Sequence, residues 1–322
     1  MRRLIALVTV SGITLLGLVA PTAAARAASP GLGKIAFARR VGGGSPNIFI
    51  ADADGSHAQQ VPLGASAETF ALPVWSPDRE RLLISNLQLS NDLFRPGIVE
   101  PDGSNFRVVN PTDAPVDIGY CGVWTGDGAR LLCPVDGPPG VVSIRASDGG
   151  GFRRLTTNPF GSGDVPTDIS PDGTRFVFLR FRPGGHPFKT YQAAIFVANV
   201  DGTGVRRVTP YGLPFPHIEF ATAQWSPDGQ EIISQTKRGR LFIVHLDGTG
   251  VTKIHLQTGT TDYFAFEPDW SPDGTRIVFC MFNNGQEDLF TANADGSHVV
   301  QITDTPKKFE NGPDWGPHPP AT

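Results

Sequence analysis

Short apolar runs alternate with turn-forming clusters from about residue 33 onward. Outside the N-terminal stretch no segment sustains a helical period, so the pattern predicts strands. The clearest unit starts at Trp270-Ser271-Pro272-Asp273-Gly274-Thr275-Arg276 and continues as the apolar run Ile277-Val278-Phe279-Cys280. It breaks at Asn283-Asn284-Gly285, resumes as Asp288-Leu289-Phe290-Thr291-Ala292-Asn293, turns at Ala294-Asp295-Gly296, and ends with Val299-Val300-Gln301-Ile302-Thr303. In Ser-Pro-Asp-Gly, Pro sits at the second turn position and Gly where a left-handed backbone is required, so the first two strands form a tight hairpin. Asp-Gly ahead of the last run makes a second turn.

This unit repeats. The residue ahead of each first hairpin is Trp75, Trp124, Ile169, Trp225, Trp270 and Trp315, at spacings of 49, 45, 56, 45 and 45 residues. A period near 45 with several strands per repeat is the signature of propeller blades. Matching second strands stand at Ile35-Ala36-Phe37, Leu82-Leu83-Ile84, Leu131-Leu132-Cys133, Phe176-Val177-Phe178, Ile232-Ile233-Ser234 and Ile277-Val278-Phe279, which makes six blades. The chain begins its first blade at the second strand, Gly33-Lys34-Ile35, and finishes on an anchor, Asp314-Trp315-Gly316. The expected fold is therefore an all-β, six-bladed propeller of four-stranded antiparallel blades over 33–317. The C-terminal strand completes blade one and leaves no long open edge. Blades two and three depart most from the pattern. Arg79 stands at the turn glycine position, Thr125-Gly126-Asp127-Gly128 replaces Ser-Pro-Asp-Gly, and the third strand near Ile98-Val99-Glu100, behind Arg95-Pro96-Gly97, is expected to be short.

Residues 1–28 stand apart. Arg2-Arg3 precede an apolar stretch from Leu4 to Ala20, and Ala25-Arg26-Ala27 offers small residues for cleavage. That is the layout of a signal peptide, with a membrane anchor as the alternative. Export is expected, to the periplasm, cell envelope or medium, as a monomer without membrane insertion after cleavage; residues 318–322 form a tail. The balance of 27 basic against 31 acidic residues gives no pull toward nucleic acid.

Asn47-Ile48-Phe49-Ile50-Ala51-Asp52-Ala53-Asp54-Gly55-Ser56, the related Asp288–Gly296 run, and Ser-Pro-Asp-Gly at 170–173, 226–229 and 271–274 resemble the WD-like repeat of the TolB propeller family. The resemblance covers about residues 33–317. It implies a periplasmic or exported binding propeller with a protein or glycan of the cell envelope as partner. TolB also carries an N-terminal α/β domain, for which no room is expected ahead of Gly33, so the resemblance is to the propeller alone.

The repeat motifs themselves read as structure. Asp-x-Asp-Gly lacks the later carboxylate of an EF-hand and is a turn former. No cofactor is expected; if a metal binds, calcium is the candidate. No serine lies in a Gly-x-Ser-x-Gly elbow, which excludes the hydrolase class that accompanies related propellers. A channel-centred metal-dependent lyase or lactonase stays open as the alternative function, resting on His217-Ile218-Glu219 alone.

Two surfaces are candidates for binding. One acidic residue precedes each anchor by five to eight positions: Glu68, Asp117, Asp164, Glu219, Asp262 and Glu310. At the start of the innermost strands these would ring one channel mouth and create a negative potential; backbone capping of the loops is the other reading. The repeat from Ile169 to Trp225 is 11 residues longer than its 45-residue neighbours, and its loops carry His186, Tyr211, Phe215 and His217. They are either a recognition patch or a variable surface loop. Cys121 and Cys133 flank the Thr125–Ala129 hairpin and are a candidate disulfide in an oxidising compartment. Pairing centred on that hairpin sets them opposite each other, at a hydrogen-bonded position where side chains stand farther apart. Cys280, on a core strand, is expected to stay a thiol.

Overall fold

The computed structural model describes residues 33–316, apart from 42–43, 64–67, 70–71, 90–92, 185–190, 215–221, 248, 261–262, 284 and 307. Six antiparallel sheets follow one another along the chain, one per blade. Blade 1 joins Lys308–Asp314 to Lys34–Val41, Asn47–Asp52 and Gln59–Gln60, so the two ends of the propeller close the ring as one sheet. Blades 3 to 6 each take four consecutive strands, with innermost strands Val123–Trp124, Asp164–Ile169, Ala223–Trp225 and Ala265–Trp270. In blade 2 the innermost strand is split, and Glu68–Thr69 and Pro73–Trp75 both pair with Leu82–Gln88.

The core lies between blades. Each of the six seams holds one apolar cluster, because a blade is apolar on both faces and must cover each with a neighbour. Trp124, Trp225, Trp270 and Trp315 are all but fully buried in these seams. Ile169 takes the same place in blade 4 and packs beside Phe176 and Phe178.

The hairpin turns form as their sequence dictates. In blade 5 the Ser226 hydroxyl donates to Asp228 at 2.6 Å, the Gln230 N–H donates to the same carboxylate oxygen, and Gly229 adopts φ +71°. Thr125 and Asp127 reproduce this bond in blade 3. Arg79 takes φ +63° in blade 2, a left-handed conformation that normally selects glycine.

Two expectations about blades 2 and 3 are corrected. The third strand of blade 2 is not short; it runs Phe94–Val99. Pro96 fits because the facing strand bulges between Ile84 and Leu87 at that point, removing the need for its missing N–H. In blade 3, Trp124 faces Leu131 and Val123 faces Leu132, one residue off the expected register. Cys121 then falls ahead of the paired strand, and it forms a disulfide with Cys133. Cys280 is a buried free thiol.

Candidate functional site

The six acidic residues ahead of the anchors do different work from one another. Asp164 is buried and held by Arg180 through a two-point contact, Nε to Oδ1 at 2.8 Å and Nη2 to Oδ2 at 2.6 Å. The Thr156 hydroxyl donates to it from blade 3 and accepts the Val141 N–H in turn. Glu310 repeats the arrangement in blade 1, with Arg39 Nε at 2.7 Å, the Thr303 hydroxyl of blade 6, and the Leu289 N–H behind it. Both guanidiniums lie over phenylalanine pairs, Phe178 with Phe196 and Phe37 with Phe49. These two acids are clamps between adjacent blades, each bound to its own arginine; burial, and then the charge of Glu310, raises the pKa of the neighbouring Asp288 carboxyl. Asp117 is exposed and pairs with Arg95 at 2.9 Å. Glu68 lies on the split strand of blade 2, opposite Gln88. Glu219 and Asp262 lie outside the described residues, as do His186, Phe215 and His217. Tyr211 is described: it lies beneath Arg182, 4.1 Å from its ring centroid, and edge-on to Phe160.

A different set of acids reaches the channel, at the far end of the innermost strands. The residue just before each anchor is Val74, Val123, Asp168, Gln224, Asp269 or Asp314, one per blade, and all six line a single cavity of about 330 Å³. Its outer wall is built by hairpin turns of blades 2, 3 and 4, including Pro77, Gly126 and Pro171. The three aspartates share a local cause. In blades 1, 4 and 6, and in no other blade among the described residues, the innermost strand bulges immediately before the aspartate. Each bulge contains or adjoins a proline: Pro313, Pro166 and Pro268. An extra residue at that point turns the following side chain. Glu267 and Gly312 are left-handed there, at φ +50° and +58°.

Each of these carboxylates is used twice. Asp168 accepts the N–H of Ile169 and that of Trp225 in blade 5, at 2.6 and 2.7 Å. Asp269 accepts the N–H of Trp270 and that of Trp315 in blade 1, at 2.8 and 2.7 Å. Asp314 accepts N–H groups of Gly316 and of Trp75 in blade 2. They staple blade 4 to 5, blade 6 to 1 and blade 1 to 2, yet they face a cavity, and among the described residues no basic side chain lines it. Burial raises all three above the ordinary aspartate range. For Asp314 the charges of Asp269 and Asp168 push further in the same direction. The Trp75 indole N–H, buried in the cavity wall, has no acceptor among the described residues.

A proline followed within two positions by aspartate and then the anchor was the available signal for this ring. Acids farther upstream do not mark it. Among the described residues no group of three or more His, Cys, Asp or Glu is spaced to hold a metal ion.

Six antiparallel blades around an acid-lined channel define a β-propeller built from WD-like repeats. The chain belongs to the TolB beta propeller domain family, whose profile matches residues 121–319. It is 28% identical over 205 residues to the uncharacterized protein Atu1656 of Agrobacterium fabrum, covering 61% of this chain and 60% of that protein's length. Among solved structures, TolB from Acinetobacter baumannii superposes with a TM-score of 0.63 at 19% identity, over 88% of this chain and 67% of that one. An oligogalacturonate lyase in complex with manganese superposes with a TM-score of 0.51 at 12% identity, over 85% and 74%. At such identities both likenesses speak for the fold alone.

Proposed function

We propose that this chain is an exported, non-catalytic binding module that takes a basic group of a protein partner into its channel. The observation that carries this reading is the set of three channel carboxylates, Asp168, Asp269 and Asp314, that face an open cavity without a basic counterpart among the described residues. Buried like charges are unfavourable, and a cation placed among them relieves both burial and repulsion. A lysine or arginine side chain fits a cavity of about 330 Å³. Export is supported by the signal-like segment at residues 1–28 and by the Cys121–Cys133 disulfide, a bond that persists in oxidising compartments.

The test is calorimetric titration with a Gly/Ser-rich peptide carrying one central lysine, beside the same peptide with that lysine acetylated. The parent protein is expected to bind only the unmodified peptide, and more tightly at pH 8 than at pH 6, since the raised carboxyls must ionise to receive the cation. Gln224→Lys supplies an ammonium to the same ring from within, so it should abolish binding while keeping the fold. Equal binding of both peptides by the parent, or undiminished binding by the variant, rules the channel out.

A further inference from the structure

Away from the channel, the outer part of the seam between blades 2 and 3 forms a cleft of about 390 Å³ whose walls include Arg81, Arg107, Arg130, Arg145 and Arg153. Among the described residues Asp127 is the one acid in the wall, and its Oδ1 already accepts the Thr125 hydroxyl and the Ala129 N–H. Five arginines together are unexpected on a chain of net charge −4.

Three of them come from blade 3. Arg130 opens its second strand, directly opposite Arg145 at the end of the third, and Arg153 lies on the fourth strand opposite Ser143. Like charges directly opposite each other across a sheet are destabilising, so this row costs folding energy. Arg81 and Arg107 face it from blade 2, and Arg81 lies 5.1 Å over the Trp124 ring.

Carboxylates neutralise only part of the set. Arg81 pairs with Asp78 at 2.8 Å and Arg145 with Asp148 at 2.8 Å. Asp113, at the same edge, is occupied by the N–H groups of Gly151 and Phe152. Arg107 donates to the carbonyls of Ala146 and Ser147 instead, at 2.7 and 3.2 Å. Arg130 is fixed by the Ser143 hydroxyl and by the carbonyls of Ser143 and Gly151. The Arg153 side chain makes no hydrogen bond or ion pair among the described residues. Burial, and then the charge of Arg81, lowers the Arg107 pKa; burial, and then Arg153 and Arg145, lowers that of Arg130, with Asp127 and Asp113 pulling the other way. Two guanidiniums are thus held rigid on backbone carbonyls with spare N–H groups, and a third is free to close over a ligand.

We infer that this cleft binds a phosphate group, with Arg107, Arg130 and Arg153 as its principal ligands. Three guanidiniums that make no ion pair with a carboxylate among the described residues match a doubly charged tetrahedral anion better than a single carboxylate, which satisfies one fork. The volume admits a phosphate monoester with a sugar-sized substituent, or the headgroup of an anionic phospholipid.

The experiment compares glucose 6-phosphate with glucuronate by calorimetric titration, and adds sedimentation with phosphatidylglycerol vesicles against phosphatidylcholine vesicles. The variant is Arg153→Gln. The arginine it replaces is exposed, its side chain makes no hydrogen bond or ion pair among the described residues, and its charge repels Arg130, so the variant should melt no lower than the parent. Glucose 6-phosphate is expected to bind at least tenfold more tightly than glucuronate, with at least a tenfold loss in the variant. Sedimentation with phosphatidylglycerol alone, lost in the variant, places the phosphate on a lipid; binding of glucose 6-phosphate without sedimentation places it on a soluble ligand. The inference is overturned if neither phosphate source binds, if glucuronate binds equally well, or if Arg153→Gln binds as the parent does.

Discussion

Glu267 sits where the innermost strand of blade 6 bulges, and its replacement by glutamine isolates one electrostatic cost of closing the ring. Its carboxylate accepts the Gly312 N–H of blade 1 at 2.7 Å and is contacted by the Cys280 thiol at 3.4 Å. Burial pushes its pKa from 4.5 up to about 7, and the charge of Glu287 adds to the rise. At about 1.4 kcal/mol per unit, keeping Glu267 ionised in the folded state costs about 3 kcal/mol. The sign follows from proton binding: the folded form holds the proton more tightly than the unfolded one, so stability falls as pH rises from about 4.5 through 7 and is level above. A glutamine side chain at this position cannot titrate, and its carbonyl can still accept the Gly312 N–H. Urea unfolding of parent and Glu267→Gln from pH 4 to pH 8 should give curves whose separation grows by about 3 kcal/mol in favour of the variant. A loss of packing in the variant shifts all points equally, so the slope of the difference is the measured quantity. A difference that stays constant across that range refutes the reasoning.

Four further outcomes are expected. Arg180→Met leaves Asp164 buried without its partner and should destabilise by about 3–5 kcal/mol in urea unfolding, with most of the loss recovered by adding Asp164→Leu. Removing the disulfide by Cys121→Ser with Cys133→Ser, which opens a loop of sequence separation 12, should cost about 3 kcal/mol on the chain-entropy scale, read from chemical denaturation. Deleting residues 308–322 removes the innermost strand of blade 1 and should give aggregated protein on size-exclusion chromatography; a monomer with an unchanged melting curve contradicts closure by that strand. Protein recovered from the medium or periplasm should begin near Ala28 by N-terminal sequencing, and an intact Met1 there defeats the export reading.

Six blades, their strand order and the closing strand could be read from the sequence because each rests on local chemistry. The apolar runs alternate with turns, Ser-Pro-Asp-Gly bends wherever it occurs, and a period near 45 counts the blades. Arg79 shows the strength of that frame, since the repeat imposes φ +63° on a residue that disfavours it. What the acids do was decided by tertiary structure. Asp164 and Glu310 look like ligands along the chain, yet Arg180 and Arg39, on neighbouring strands, turn them into buried clamps. Asp168, Asp269 and Asp314 carry no distinguishing mark along the chain beyond a nearby proline, yet bulges one or two positions earlier aim them at a shared cavity. The arginine cleft is equally hidden in one dimension. Arg81 and Arg153 are far apart in sequence and meet only because blades 2 and 3 pack side by side. A charge acts through the distance and dielectric that separate it from other charges, and in a ring of blades those are set by neighbours that local sequence does not specify.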